Sequence, residues 1–194
     1  MNKFISLLTI ALFFSVIVNA QTKFDVLIGI NISNLYVTEN NTDNKLLSSS
    51  PGIGYNLGLL RRVNLSVKSN FKYGIVFKRI VSETINAKAI NDFISIPLLI
   101  NYRVFTSKLR VEGGFVPEVA LKYSVAGINY PIRFFGEEHT YRMLNVEYQI
   151  GIIYQTNFIS VGLNFSNMIF NEHHSNDVVN TKSYTFSLNL NYNI

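Results

Sequence analysis

Two short segments hold the residue types that most often do chemistry. His139 follows Glu137-Glu138, and His173-His174 follow Glu172. Imidazole with carboxylate is a ligand set for transition metals, and His174 beside Ser175 is part of what a serine hydrolase needs. The spacing supports neither chemistry. A helical metal pair sets its ligands on one face, as in HExxH, and a nucleophilic serine sits on a strained elbow beside an oriented base. Both segments are polar stretches without helical periodicity, so they read as solvated loop residues. No catalytic residue, metal site or cofactor is expected, and the chain reads as non-enzymatic. Zero cysteines also remove disulfides, thiolate metal sites and cysteine nucleophiles.

A second set of charges is arranged differently. Asp25, Lys68, Lys72, Arg110, Glu112, Glu118, Lys122 and Glu147 fall within segments whose neighbouring positions are apolar. Charges recurring on the polar side of an apolar/polar alternation share one face of a strand. Opposite charges on facing walls of a narrow interior form ion pairs, because a buried charge without a partner is costly.

The elements that carry them repeat with a period of two. The last is the clearest: Tyr184, Phe186, Leu188, Leu190, Tyr192 and Ile194 alternate with Ser183, Thr185, Ser187, Asn189, Asn191 and Asn193. Such alternation is a strand signal and is incompatible with an amphipathic helix. The same pattern runs from Leu65 to Lys78, Leu109 to Lys122, Leu144 to Gln155 and Ile159 to Ser166, with weaker copies at Phe24–Ser33, Gly52–Arg62 and Asp92–Arg103. Eight strands result. Short connections near Arg62–Asn64, Phe105–Lys108 and Gln155–Asn157 separate longer ones at Tyr36–Ser50, Ile80–Asn91, Ser124–Thr140 and Phe170–Lys182. That rhythm belongs to an up-and-down barrel with tight turns at its periplasmic rim.

The first twenty residues stand apart. Lys3, the apolar run Phe4–Val18 and the small-residue end at Ala20 make up a secretory signal peptide, leaving residues 21–194 as one barrel domain. With Lys3 removed, 16 basic residues oppose 12 acidic ones, a charge of +4. The basic residues are scattered, so nucleic acid is not an expected partner.

Alternation alone does not say which face is inside; a soluble, lipocalin-like barrel alternates too. Mean hydropathy is +0.20, high for a soluble domain. The polar face carries charge in mid-strand, whereas the charges of the apolar face (Arg61, Arg79, Asp92 and Arg142) all fall near strand ends. A charge on a barrel exterior costs about 2–4 kcal/mol at mid-membrane depth and little at the interface. Tyr55, Tyr73, Phe77, Tyr102, Tyr123, Tyr141, Tyr154, Tyr184 and Tyr192 lie on the apolar face, several near strand ends, as interfacial girdles do. The expected fold is therefore all-β: a transmembrane eight-stranded antiparallel up-and-down β-barrel of the outer membrane, with lipid outside and a side-chain-filled lumen. An interior of eight strands is just wide enough for side chains to fill.

The opening strand FDVLIGINIS with Gly29, the segment FISIPLLINY from Phe93 to Tyr102 with Pro97 within it, and the pair Gly113-Gly114 resemble the PorT-like bacterial outer-membrane β-barrel family. The resemblance covers essentially the whole mature chain, and it departs at the end: such barrels usually finish on an aromatic residue, whereas this one ends on Ile194. It implies a porin-like envelope protein with outer-membrane lipid, the barrel assembly machinery and an envelope protein as partners, and a link to type IX secretion. Pro97 cannot donate to a ladder, so a local bulge is expected there. The alternatives are a small pore for ions or solutes and an outer-membrane lipid-modifying enzyme.

Overall fold

The computed structural model describes residues 22–39, 50–84, 87–105, 108–129, 131–133, 140–169, 173–174 and 179–194. The segment expected to be a signal peptide lies outside these residues. Eight long strands form the wall: β1 Thr22–Glu39, β2 Ser50–Asn64, β3 Ser69–Thr84, β4 in two pieces Ala87–Ser95 and Leu98–Arg103, β5 Leu109–Val125, β6 Leu144–Gln155, β7 Ile159–Met168 and β8 Val179–Asn193. Each pairs antiparallel with its sequence neighbours, and β8 returns to β1 from Asp25↔Asn193 to Glu39↔Val179, closing the barrel. Closure satisfies the backbone groups of both would-be edges, which hydrocarbon surroundings require.

The alternation is realised with the apolar side outward. Ile30, Leu59, Ile75, Ile150 and Leu163 are each more than half exposed, while Asn31, Asn56, Glu118, Glu147 and Asn189 are buried within. A water-soluble barrel shows the reverse. No helix of the described residues is long and apolar enough to cross a membrane; the strands do the crossing.

The strands run further outward than the alternation suggested. β3 continues to Thr84 and β4 begins at Ala87, so the stretch expected as a long loop, Ile80–Asn91, is almost entirely strand, with pairs from Ile80↔Asn91 to Thr84↔Ala87. After β5, Ala126 and Gly127 at φ 52° and 82° make the primed type of turn that suits the twist of a hairpin, and Ile128–Asn129 pairs back on Ser124-Val125.

At the other rim, the connection after β2 is Leu65–Lys68, later than the expected Arg62–Asn64. Ser66 Oγ accepts from the Lys68 and Ser69 amides at 3.2 and 3.0 Å. That side-chain turn ends the ladder, so Leu65 and Val67 are turn residues and not the start of β3.

Pro97 breaks the β4 ladder at Ile96-Pro97, but Ser95↔Glu118 and Leu98↔Phe115 keep one register across it, so there is no bulge. The bulge is five residues earlier: Phe93 opposes Ala120 while Asp92 opposes Lys122, with Leu121 the extra residue. One extra residue exchanges the faces of everything beyond it. Tyr123 accordingly packs inward against Ile80, Phe93, Ala120 and Met168, and not on the lipid face expected of it.

Candidate functional site in the barrel lumen

The lumen holds its charges in tiers. Nearest the short-turn rim, Arg62 on β2 pairs with Asp25 on β1 and donates to Asn193 Oδ1 at 2.8 Å. Next, Lys72 on β3 pairs with Glu112 on β5, whose Oε1 also accepts from Gln149 at 2.9 Å. Further up, Lys78 Nζ on β3 lies 2.7 Å from Glu118 Oε1 on β5 and 2.7 Å from Glu147 Oε1 on β6. Ser95 Oγ donates to Glu118 at 2.6 Å, and the Lys78 ammonium stands 5.7 Å from the Phe93 ring centroid. Asn31, Asn56 and Asn189 are linked by amide hydrogen bonds of 2.9 and 3.1 Å. The side chains of the three ion-pair tiers are nearly inaccessible to solvent.

Alternation explains how these groups meet. Asp25, Lys72, Glu112, Glu118 and Glu147 all point to the polar side of their strands, and closure turns that side into one interior. Coulomb attraction in a low-dielectric interior repays desolvation only with close geometry and further hydrogen bonds, and Ser95 and Gln149 supply such bonds. Three cations (Arg62, Lys72, Lys78) face four carboxylates (Asp25, Glu112, Glu118, Glu147).

Two of the expected lumenal charges sit elsewhere. Lys68 is exposed on the β2–β3 turn, because the Ser66 turn ends the ladder before it. Lys122 is exposed on the outside, because the Leu121 bulge turned its face outward. Arg110 points inward as expected, half-buried, and lines both the small cavity beside Asp25 and Arg62 and the short-turn mouth. In exchange, the lumen contains two cations not singled out in sequence, Arg62 and Lys78. Lys78 continues the inward face of Lys72 through Gly74 and Val76, and Arg62 follows Arg61, which the alternation puts on the apolar face, so the signal was present for both.

Above the ion pairs, Ile80, Phe93, Ala120 and Met168 form a buried apolar cluster across the lumen. The space left among the charged tiers is small: a cavity of about 50 Å³ beside Lys72, Lys78, Glu118 and Glu147, and one of about 10 Å³ beside Asp25 and Arg62. The first has room for a few water molecules and the second for one at most.

The charges expected at the ends of the lipid face are handled differently. Arg79 Nε and Nη2 reach the two Asp92 carboxylate oxygens at 2.6 and 2.7 Å, and the Arg79 guanidinium stands 5.5 Å from the Tyr55 ring. Bidentate pairing plus an aromatic face lowers the cost of charge next to lipid. Arg61 stands 5.8 Å from the Phe24 ring at the opposite rim. The segments 137–139 and 172 lie outside the described residues; of His173 and His174 only the backbone pairing, with Tyr141 and Thr140, is described. Among the described residues no group of three metal-ligating side chains comes together.

A closed barrel, apolar outside and charged within, is a transmembrane β-barrel of the outer-membrane type, and the outer membrane is its location. A solved structure shares the fold. Neisserial surface protein A superposes with a TM-score of 0.54 at 12% identity, covering 87% of this chain and 96% of that one. Ail, the attachment invasion locus protein of Yersinia pestis, gives 0.45 at 16% identity over 89% and 98% of the two chains. OprG from Pseudomonas aeruginosa gives 0.45 at 9% identity over 90% and 96%. No protein-family model matches the sequence, and no curated protein matches it.

Proposed function

We propose that this chain is a non-enzymatic envelope barrel: a sealed transmembrane scaffold that presents its outer strand extensions and loops to a protein partner. The observation that carries this reading is the closed lumen, in which, among the described residues, three ion-pair tiers and an apolar cluster surround cavities of about 50 and 10 Å³. The strand lengths support it. A tilted membrane strand needs about 9–11 residues, whereas β1 has 18, β3 16 and β5 17. The short turns fix the periplasmic rim, so the surplus projects outward. Outer-membrane lipid and the barrel assembly machinery are the partners such a scaffold meets during biogenesis. The resemblance carried by Phe93–Tyr102 and Gly113-Gly114 extends the proposal to PorT-like barrels and to a secretion-associated envelope partner.

Planar-bilayer recording tests the reading. The wild-type barrel is expected to give no stable unitary conductance, and a stable unit step would replace the scaffold with a small pore. Fatty-acid release from lipopolysaccharide, lost in His174→Ala, would replace it with a lipid-modifying enzyme.

A further inference from the structure

The short-turn mouth of the barrel contains a cavity of about 590 Å³, open to the periplasmic side and walled by Lys23, Arg62, Arg103, Lys108 and Arg110 with no carboxylate in its lining. Its volume falls within the ordinary range of small-molecule sites. Arg62 is committed to Asp25. Among the described residues, none of the other four cations has an ion-pair partner.

Two of the four are placed against their own preference. Arg103 and Arg110 are directly opposed across β4 and β5. Like charges at directly opposed positions destabilise a sheet. The Nε of each is shielded from solvent and lacks a hydrogen-bond partner. A guanidinium donor turned away from water and left unbonded is unfavourable by itself. An oxyanion between the two forks offsets the like-charge repulsion, since guanidinium geometry matches phosphate and carboxylate oxygens bidentately.

The surroundings say which oxyanion is at hand. The turns at this rim carry exposed apolar side chains: Leu65 at 56%, Val67 at 86%, Phe105 at 100% and Phe158 at 67%. Four such residues at turn tips place the rim in contact with the lipid interface and not in open periplasm. The basic mouth then lies at the headgroup level of the inner leaflet, where phosphate is the abundant anion.

We propose that the periplasmic mouth is a phosphate-binding site, with Arg103 and Arg110 as its clamp and Lys23 and Lys108 as flanking cations, and that it takes the phosphate of an anionic phospholipid headgroup. A soluble phosphate ester offers the same chemistry, so the test separates the two. The full barrel, folded in non-ionic detergent, is titrated with phosphatidylglycerol and with diacylglycerol, and lipid retention is read by native mass spectrometry. The expected result is at least tenfold greater retention of phosphatidylglycerol, falling about tenfold in Arg103→Gln/Arg110→Gln and unchanged in Lys88→Gln at the outer end. Calorimetric titration with glycerol 3-phosphate forms the second arm. Binding there without a lipid preference assigns the site to soluble esters and overturns the lipid assignment while keeping the phosphate. Equal retention of the two lipids together with no binding of glycerol 3-phosphate overturns the proposal, as does full binding by the double variant. Heat-modifiable gel mobility confirms that the double variant folds; if it does not, Lys108→Gln on the exposed turn flank replaces it, with a several-fold loss expected and no loss counting against the site.

Discussion

Replacing Lys78 tests the sealed-lumen reading most directly, because one ammonium serves two carboxylates there. Lys78 Nζ lies 2.7 Å from Glu118 and 2.7 Å from Glu147, and the Lys78 side chain is 8% exposed. Lys78→Met keeps most of the volume and removes the charge, leaving two carboxylates facing each other with Ser95 as the remaining donor to Glu118. Breaking a buried ion pair from one side costs about 3–5 kcal/mol, and sharing one cation between two acids places this case in the upper part of that range. Taking about 4 kcal/mol and a urea slope of about 2 kcal/mol/M, the unfolding midpoint falls by roughly 2 M. Glu147→Gln removes the carboxylate in excess and leaves Lys78 and Glu118 matched one to one, so no charge is stranded and its cost is expected to be well below that of Lys78→Met. Urea titration of both variants in lipid vesicles, followed by heat-modifiable gel mobility, measures the difference. A loss under about 1 kcal/mol in Lys78→Met, the value of a solvated pair, would refute the sealed interior and favour a water-filled channel.

Further outcomes are expected elsewhere in the wall. Ile75→Lys, at an outward position 61% exposed to lipid, costs about 2–4 kcal/mol at mid-membrane depth and blocks assembly in a membrane-fractionation assay, whereas Ile75→Leu assembles normally. Gly114→Ala brings a Cβ within 2.1 Å of the Leu98 carbonyl oxygen, but at Gly113 the nearest contact is 3.8 Å; the first destabilises by at least about 1–3 kcal/mol and the second is tolerated, read from the same urea titration. Lys122→Ala changes stability by less than about 0.5 kcal/mol, while Lys72→Ala, which strands Glu112, loses about 3–5 kcal/mol; equal losses would contradict the face reversal at Leu121.

The sequence by itself determined the strand count, the closed antiparallel architecture and the inverted exterior. These follow from a period of two repeated in eight segments between Phe24 and Ile194 and from where charge falls along them, both local properties of the chain. It also placed Asp25, Lys72, Glu112, Glu118 and Glu147 on the inner wall. Tertiary structure decided the rest. The bulge at Leu121 inserts one residue between strands that are each regular, so only the register with Phe93 and Asp92 reveals that Lys122 turns out and Tyr123 turns in. The Ser66 hydroxyl ends a ladder that hydrophobicity alone would have continued through Leu65 and Val67. Lys78 was visible as an inward residue, but its two partners come from β5 and β6, about 40 and 70 residues downstream. Arg103 and Arg110, close in sequence across one short turn, become an opposed like-charge pair only when β4 and β5 align, because register and not composition sets which side chains must share a space.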